Sequence, residues 1–305
     1  MEKHFLHMTN GTKIEENLVA CIGYFDGLHR GHQALVQKTL EVARQMKAVP
    51  TMISFEPDPR VVIKGISNFK HIMTMSDRFR LAEKLGIEKF VLLDFTKEMA
   101  ALKPQAFIDQ ILGQLHLKGL VCGFDFHFGQ YGQGDYHFLQ KQCDYPVFRI
   151  DKVEDQQGKI SSTRIGKAIQ KGRMEEVNHL LGREYSSEGR VIHGLHNGHS
   201  LHFPTANIDY SEELILPKVG VYGGYVLLDG IKKLCMINLG HNPSVQYQKR
   251  LSLEVHILDY KGDLYGQTVR IYWLGFLRDE IHFSSKEELV QQLKKDQTEV
   301  VKRWK

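Results

Sequence analysis

The stretch Gly23-Tyr24-Phe25-Asp26-Gly27-Leu28-His29-Arg30-Gly31-His32 lies between two segments of opposite character. The apolar run 18–22 before it predicts a buried parallel strand, and the apolar residues at 35, 36 and 40 after it predict one face of a helix. The N-terminus of a helix attracts anions through its unpaired N–H groups and its macrodipole. The order strand, glycine-rich loop, helix therefore predicts an α/β domain with a phosphate site at this loop.

Five residues of this loop are candidates for phosphate chemistry. Gly23, Gly27 and Gly31 stand four residues apart, so that the backbone can approach a phosphate closely. His29 and His32 stand on one side of the predicted helix and can bind developing negative charge without acting as nucleophiles. The spacing is neither G-x-x-x-x-G-K-[ST] nor G-x-G-x-x-G. These glycines and histidines together predict transfer of a nucleotidyl group from a nucleoside triphosphate, with pyrophosphate leaving. The alternative is that the two histidines are ordinary polar groups on the surface.

The loop resembles the H-x-G-H motif of the HxGH nucleotidylyltransferases, and its Phe-Asp-Gly sequence resembles that of prokaryotic FAD synthetases. The resemblance implies that Phe25 and Asp26 join the three glycines in binding ATP. It also implies that His29 and His32 are catalytic. The implied reaction joins FMN to the AMP part of ATP and so forms FAD.

Composition narrows the class of protein. The chain has 305 residues, of which 42% are hydrophobic and 25% charged, which is enough for two globular domains. A net charge of +4 suits nucleotide ligands and does not call for nucleic acid. The first residues lack the apolar core of a signal peptide, and no run approaches the roughly 18 apolar residues of a membrane span. We expect a cytoplasmic protein, a monomer or weak homo-oligomer, whose partners are small-molecule substrates rather than nucleic acid or membrane.

The four cysteines do not form a C-x-x-C pair, so neither a disulfide framework nor a metal framework is expected. Buried free thiols in a reducing compartment are the expected state of Cys21, Cys122, Cys143 and Cys235.

The chain divides into two halves of different texture, with the boundary near 183–188. Alternating strands and helices over 1–183 predict a doubly wound, Rossmann-like parallel sheet. Short runs broken by Gly, Asn and Pro over 184–305 predict an antiparallel β-barrel, and the capping box at 285–288 predicts a terminal helix. The predicted strands are 18–22, 51–55, 90–93, 120–122, 147–150, 221–227, 234–238, 251–258 and 268–273. The predicted helices begin after Gly31 and at 285, and span 76–85, 104–115, 136–142, 161–172 and 174–181.

Two segments that follow predicted strands are candidates for a flavin site. The run 54–60, Ser-Phe-Glu-Pro-Asp-Pro-Arg, lies where a parallel sheet places ligand contacts, although a proline-rich turn that only ends a strand is the alternative. The run 123–129, Gly-Phe-Asp-Phe-His-Phe-Gly, suits either a core or an aromatic pocket for a flat isoalloxazine ring with one polar anchor. Both segments resemble the FAD synthetase pattern, which implies flavin binding by Phe55, Pro57, Asp125, Phe126 and Phe128.

A third segment, Ser161-Ser162-Thr163-Arg164, opens a predicted helix with hydroxyl groups at its cap. It is either an ordinary N-cap or a second anion site facing the triphosphate. The resemblance implies ATP binding by Ser162, Thr163 and Arg164. The chain departs from the family pattern at Asp58, where His is usual, and at Gly166, where Arg is usual. Arg164 or Lys167 is the candidate substitute for that arginine. The bidentate guanidinium group is nevertheless absent from position 166, where the family usually carries it.

The second half carries two candidate segments of its own. Pro204-Thr205-Ala206-Asn207 predicts a turn whose hydroxyl and amide can ligate a hard cation and phosphate oxygens, and a side-chain-capped turn is the alternative. Downstream, apolar residues alternate at 251, 253, 255 and 257, which places Glu254 on the opposite strand face. Glu254 is then either a solvated carboxylate or the base that takes a proton from an attacking hydroxyl.

This half resembles bacterial riboflavin kinases along its length. The resemblance rests on Pro-Thr-Ala-Asn at 204–207, Asn-Leu-Gly at 238–240, Asn-Pro-Ser at 242–244, Glu-Val-His-Ile-Leu-Asp at 254–259 and Leu-Arg-Asp-Glu at 277–280. It implies that Gly194, Thr205 and Asn207 bind Mg-ATP, with Thr205 and Asn207 as Mg²⁺ ligands, and that Glu254 deprotonates the ribityl 5′-hydroxyl. The chain departs from the family's glycine-rich flap at His199, where Arg is usual, and at His202, where Gly is usual.

Together the two resemblances imply a bifunctional enzyme, similar to the prokaryotic riboflavin kinase/FAD synthetases, that phosphorylates riboflavin to FMN and adenylylates FMN to FAD, using Mg²⁺ and ATP. Two alternatives are open. One is an FAD synthetase whose barrel only binds flavin, which the changes at His199 and His202 favour. The other is a non-catalytic flavin or nucleotide sensor, which the departures in both halves motivate.

Overall fold

The computed structural model describes residues 1–8, 14–193, 203–241 and 251–305. These residues form two compact units, Met1–Ser162 and Thr163–Lys305. The predictions made for Gly194, His199, His202 and 242–244 lie outside the described residues. The domain boundary near 183 stays a prediction.

The first unit contains a parallel sheet and a short hairpin, with helices between the strands. Its strands are β1 (Glu2–Leu6), β2 (Ile14–Ile22), β3 (Val49–Glu56), β4 (Lys89–Asp94), β5 (Leu115–Gly123), β6 (Val147–Ile150), β7 (Glu154–Asp155) and β8 (Gly158–Lys159). Its helices are α1 (Arg30–Met46), α2 (Pro59–Lys64), α3 (Met75–Lys84), α4 (Lys97–Ala100), α5 (Pro104–Gln110) and α6 (Tyr136–Gln142).

The sheet has the strand order β1-β4-β3-β2-β5-β6, and every neighbouring pair is parallel. The chain leaves β2 on one side for β3 and returns to its other side for β5. The topological switch point therefore lies between β2 and β5, where a doubly wound sheet opens its ligand crevice. The doubly wound parallel sheet predicted from the alternating pattern is confirmed.

The core of this unit lies on both faces of the sheet because successive residues of β2 point to opposite sides. Leu18, Ala20 and Ile22 are buried in one cluster, whereas Cys21 belongs to the other cluster with Leu35 of α1. This packing fixes the end of β2 and the start of α1, and with them the loop that joins the two elements.

In three places this unit differs from what the sequence patterns indicate. Strand β1 was not predicted; it pairs in parallel with β4 and buries Leu6 in the core, and a carboxylate oxygen of Glu2 lies 3.0 Å from Nζ of the buried Lys89. The helix predicted over 104–115 ends at Gln110, and Leu115 already pairs with β2. The proline-rich turn after β3 continues into α2, because Asp58 caps it by accepting a hydrogen bond from the Arg60 N–H at 2.7 Å.

The second unit begins with two helices and closes into a barrel. Its elements are α7 (Ser162–Gln170, entered from the last residue of the first unit), α8 (Met174–Leu181), β9 (Tyr185–Ile192), β10 (Ala206–Tyr210), β11 (Gly220–Leu228), β12 (Ile231–Gly240), β13 (Ser252–Ile257), β14 (Thr268–Arg278) and α9 (Lys286–Trp304). The barrel order is β10-β13-β12-β11-β14-β9, with antiparallel pairs throughout. The predicted antiparallel barrel with a terminal helix is confirmed.

The barrel is filled by aromatic side chains and covered by α9. Tyr222 and Trp273 pack edge to face with their ring centroids 5.2 Å apart, and the Trp273 indole N–H donates to the Ser187 hydroxyl at 3.0 Å. A bidentate ion pair between Arg278 and the buried Asp296, with 2.7 Å between Nη2 and Oδ2, fastens α9 to the end of β14.

The last residue of α9, Trp304, lies against two glycines that face each other across β11 and β14. A Cβ added at Gly223 would overlap the Trp304 ring, and one at Gly275 would lie 2.7 Å from it. The absence of side chains at these two positions thus forms the slot for the indole.

We expect Gly223→Ala to lower the free energy of unfolding of the barrel unit by about 1–3 kcal/mol, the usual cost of overpacking. Both tryptophans of the chain, Trp273 and Trp304, lie in this unit, so their fluorescence during denaturation reports its unfolding. In a Trp304→Ala background, where Trp273 remains as the probe, the same glycine change should cost much less. An equal cost in both backgrounds would contradict the slot.

Candidate active sites

The two histidines of the H-x-G-H motif are brought together at the N-terminus of α1. Their rings stack with centroids 3.7 Å apart and an angle of 14° between planes. His29 is the N-cap residue, and its Nδ1 accepts a hydrogen bond from the His32 backbone N–H at 3.3 Å. Because a backbone N–H can only donate, the neutral His29 ring carries its proton on Nε2. The Nε2–H of His29 is therefore the group that can donate to an anion.

The loop before α1 is held in an unusual backbone conformation. Phe25 and Leu28 have φ values of 60° and 40°, in the left-handed region, and both are about 1% exposed. Such strain in non-glycine residues persists only where the surroundings impose it, and it is concentrated at functional sites. The Phe25 ring packs edge to face on His32 at 5.3 Å. A side chain at Gly31 would meet the His29 ring, since a Cβ there would lie 3.1 Å from it.

Asp26 is an anchor of this loop. Its carboxylate is 4% exposed, and Oδ1 accepts a hydrogen bond from the Ile72 N–H at 3.0 Å. Its backbone carbonyl accepts a hydrogen bond from the Ser162 hydroxyl at 2.8 Å. The structure thus brings Ser162 against residues 23–32, here called the histidine loop, and so joins two parts of the chain that the sequence singled out separately. The Asp26 carboxylate is engaged within the protein, and its predicted part in ATP binding stays a prediction.

Sequence reasoning missed a buried polar cluster beside the loop. Arg78 is 1% exposed, and its guanidinium lies 4.3 Å from the centroid of the Tyr24 ring and 3.2 Å from the Ser54 hydroxyl. Burial raises the pKa of the Tyr24 phenol, which keeps it protonated as a hydrogen-bonding group. The Tyr24 hydroxyl lies 3.4 Å from Nδ1 of His71. Helix α3 contains several charged residues, and nothing in its sequence distinguishes Arg78 as a buried one.

The two departures from the family pattern have visible structural settings. At Asp58, the side chain is 1% exposed and is fully used by Arg60, whose guanidinium binds both carboxylate oxygens. Gly166 is buried in α7, and a Cβ there would lie 3.0 Å from Cδ1 of Ile215. Arg164, the candidate substitute in the second unit, points its Nε to Glu176 at 3.4 Å. Its predicted contact with the triphosphate, like that of Thr163 and Lys167, stays a prediction.

The candidate flavin residues divide into buried and accessible ones. Phe55 and Phe128 are 7% and 6% exposed and belong to the core of the first unit. Pro57 follows β3, and Phe126 stacks on Phe128 with centroids 5.8 Å apart.

Asp125 is accessible, and its carboxylate pairs with Lys159 Nζ at 2.5 Å. That ammonium also lies 4.6 Å from the ring centroid of Phe124, which is 39% exposed. Flavin contact by the five predicted residues stays a prediction.

In the second unit, the structure brings Thr205, Asn207 and Glu254 together. Asn207 opposes Glu254 in the antiparallel pairing of β10 with β13, so the two side chains share one face. The Thr205 hydroxyl donates to Glu254 Oε2 at 3.3 Å, and the Ser252 hydroxyl donates to Oε1 at the same distance. Leu253 and Val255 are buried on the other face, as the alternation predicts. The predicted turn at 204–207 is wrong for its last two residues, which open β10 and pair with the strands beside it.

Two further residues belong to this group. Asn238 opposes Glu254 from the other side, in the pairing of β12 with β13, and the sequence alone assigns it no role. His256 binds the Pro204 carbonyl through Nδ1 at 2.8 Å, which fixes the segment that presents Thr205.

A cavity of about 550 Å³ opens beside the group. Thr205 and Asn207 line it together with His193, Asp263 and Tyr265. Glu254 is not one of the residues that line the cavity, but its hydrogen-bond partner Thr205 is.

All four cysteines are free thiols, and three of them are buried. Burial raises the pKa of the thiols of Cys21 and Cys122 to about 12, and Cys235 and Cys143 shift in the same direction. In the part of the chain that the structure describes, no group of three or more His, Cys, Asp or Glu side chains is placed to hold a metal ion. Within the same residues, no helix is both long and apolar enough to cross a membrane.

The fold and the two sites define a class of enzyme that transfers nucleotidyl and phosphoryl groups. Residues 11–164 match the FAD synthetase family, and residues 181–304 match the riboflavin kinase family. The bifunctional riboflavin kinase/FMN adenylyltransferase of Listeria monocytogenes is 37% identical, over 97% of this chain and 96% of that protein. The enzyme of the same name from Bacillus subtilis is 33% identical, over 98% and 96%.

The chain therefore belongs to the bifunctional riboflavin kinase/FMN adenylyltransferase family. The likeness extends to the complete fold: a solved structure described as a macrolide-efflux protein from Streptococcus pneumoniae matches 99% of both chains with a TM-score of 0.90 and 34% identity. Both enzyme domains of the family are present, so the bifunctional prediction is confirmed. The alternatives of a binding-only barrel and of a sensor without catalysis lose their support.

Proposed function

We propose that the histidine loop of the first unit and the Glu254 group of the barrel are the two reaction centres of this bifunctional enzyme. The barrel converts riboflavin and ATP to FMN and ADP, and the α/β unit converts FMN and a second ATP to FAD and pyrophosphate. The observation that carries the proposal is the convergence of the sequence candidates into two separate clusters, the stacked His29–His32 pair and the Thr205–Asn207–Glu254 group. The efflux activity named for the Streptococcus pneumoniae protein is not extended to this chain, because both family matches concern flavin enzymes.

In adenylyl transfer, an oxygen of the FMN phosphate attacks the α-phosphorus of ATP, and the bond to the leaving pyrophosphate breaks. Negative charge grows on the phosphoryl oxygens, and donors fixed in advance are the effective catalysts of such a step. His29 offers its Nε2–H, and His32 is held against it by ring stacking and by Phe25. The N-terminus of α1 adds its dipole, and its first turn contains no acidic residue that would oppose an anion.

In riboflavin phosphorylation, the ribityl 5′-oxygen attacks the γ-phosphorus of ATP, and ADP leaves. Glu254 accepts the proton of the 5′-hydroxyl, and the hydroxyls of Ser252 and Thr205 hold its two oxygens in place. Asn207 and Asn238 flank the carboxylate on the neighbouring strands and are available as amide donors to phosphate oxygens.

Thr205 and Asn207 would also hold the Mg²⁺ of Mg-ATP. Hydroxyl and amide oxygens suit this hard cation, which keeps several waters and takes substrate phosphates as ligands, so a cage of carboxylates is not required. When bound, Mg²⁺ neutralises charge on the phosphate oxygens. The proposal also includes a cytoplasmic location and a monomeric or weakly associating state. It includes no nucleic-acid partner.

The test is to incubate the purified protein with riboflavin, ATP and magnesium and to separate the flavins by chromatography. We expect FMN to appear first and FAD to follow, with pyrophosphate released in proportion to FAD. Omission of magnesium should stop both steps. FAD formation from added FMN with riboflavin left unused would refute the kinase assignment, and absence of turnover would refute both.

A further inference from the structure

The imidazole of His71 lies at the histidine loop without having a place in the reaction described above. Its Nδ1 is 3.4 Å from the Tyr24 hydroxyl and 3.9 Å from carboxylate oxygens of both Asp26 and Asp58. The rings of Tyr24 and Phe69 flank it, with centroids 5.7 and 5.1 Å away. The next residue, Ile72, binds the Asp26 carboxylate through its N–H at 3.0 Å. His71 is thus placed against the loop by side chain and backbone together.

The two nitrogens of this ring have different surroundings. Nδ1 faces the Tyr24 hydroxyl and the two carboxylates. Nε2 takes part in no hydrogen bond within the described residues, and 13% of the side chain remains exposed. A protonated imidazole donates from both nitrogens. In that form His71 can face the carboxylates with one nitrogen and an anion with the other.

A cation beside Asp26 would favour a phosphate at this loop. Asp26 and Asp58 are both buried, but only Asp58 is neutralised by an arginine, whereas Asp26 accepts a hydrogen bond from the Ile72 N–H. The Asp26 carboxylate would repel a phosphate group bound near it. The Arg60 guanidinium forms an ion pair with Asp58 and packs on the Phe69 ring. The Arg78 guanidinium donates a hydrogen bond to the Ser54 hydroxyl and lies over the Tyr24 ring. Among the described residues, His71 has both carboxylates within 4 Å.

We infer that His71 is a substrate-contacting residue of the adenylyltransferase, with Nδ1 held at Tyr24, Asp26 and Asp58 and Nε2–H donating to a phosphate oxygen. The ligand is a phosphate group, either the monoester of FMN or the triphosphate of ATP. The inference rests on the proposed adenylyl-transfer site, because His71 touches Tyr24 and Asp26 of the histidine loop.

Two amide variants separate the two nitrogens. His71→Gln places an amide N–H near the position of Nε2, whereas His71→Asn places one near Nδ1 and leaves the outer position without a donor. We expect His71→Asn to raise the KM of one phosphate substrate in FAD formation by about 10- to 100-fold, the range for a lost charge-assisted hydrogen bond. His71→Gln should stay closer to the parent. A rise confined to FMN identifies the flavin phosphate as the ligand, and a rise confined to ATP identifies the triphosphate.

The matched control is the same pair of changes at His116, an exposed residue at the start of β5, away from the carboxyl ends of the strands. The melting temperature and the riboflavin kinase rate of each variant show whether the chain is intact. Unchanged KM values in His71→Asn would overturn the inference. So would equal losses in both amide variants together with a lowered melting temperature, which would indicate a structural histidine. Failure of the proposed site itself would be distinguishable, because His29→Ala would then retain FAD formation.

Discussion

Replacement of His29 or His32 by alanine is expected to lower the rate of FMN adenylylation by about 10²-fold or more, the usual cost of losing one preorganised donor to a developing oxyanion. The binding of FMN should be little changed, because the histidines act on charge that grows in the transition state. Formation of FAD and pyrophosphate from FMN and ATP is the measurement. The riboflavin kinase rate of the same preparation serves as an internal control, since its proposed residues lie in the barrel.

His29 also caps α1, so its removal by alanine combines two effects, and a second variant separates them. Asparagine is a good N-cap residue and can accept the His32 N–H in place of Nδ1. It has no donor at the position of Nε2. His29→Asn should therefore restore the melting temperature of the first unit without restoring activity. Near-parental FAD formation in His29→Asn would show that the cap, and not the imidazole, is what the reaction needs.

The sequence was sufficient to predict the parts of the fold that rest on strong local patterns. The buried run ending at Ile22 and the amphipathic start of α1 define the strand, loop and helix that carry His29 and His32. In the barrel, the alternation in β13 placed Glu254 on the correct face, opposite the buried Leu253. These patterns are read within a single element, where side-chain period and secondary structure are directly coupled.

The elements that were missed depend on partners distant in the sequence. Strand β1 is polar and pairs through its backbone with β4, more than 80 residues later, while Glu2 compensates the buried Lys89. His71 reaches the histidine loop over a separation of 47 residues from Tyr24 and carries no motif of its own. Non-local contacts of this kind leave no periodic trace, so only the three-dimensional structure places His71 and Arg78 beside the loop.

Glu254→Gln is expected to lower the rate of FMN formation by about 10²- to 10⁴-fold, while the conversion of FMN to FAD continues at the parental rate. The change removes the proposed general base at almost constant volume. Glutamine still accepts one of the two hydroxyl donors, Ser252 or Thr205, so the strand pairing of β13 with β10 and β12 should persist. Riboflavin phosphorylation followed by flavin chromatography measures the first activity, and adenylylation of added FMN measures the second.

The matched control for this change is Glu299→Gln on α9, an exposed glutamate paired with Arg303 on its own helix. It carries the same loss of charge in the same unit and should leave both activities unchanged. Equal loss of both activities in Glu254→Gln would mean that the carboxylate supports the fold rather than the reaction. A parental kinase rate would mean that another group takes the proton. Loss of the kinase alone, with tryptophan fluorescence still showing a folded barrel, is the result expected for a base at Glu254, because Ser252, Thr205 and the flanking strands are all retained. An unchanged KM for ATP in this variant distinguishes the base from a group that only supports nucleotide binding.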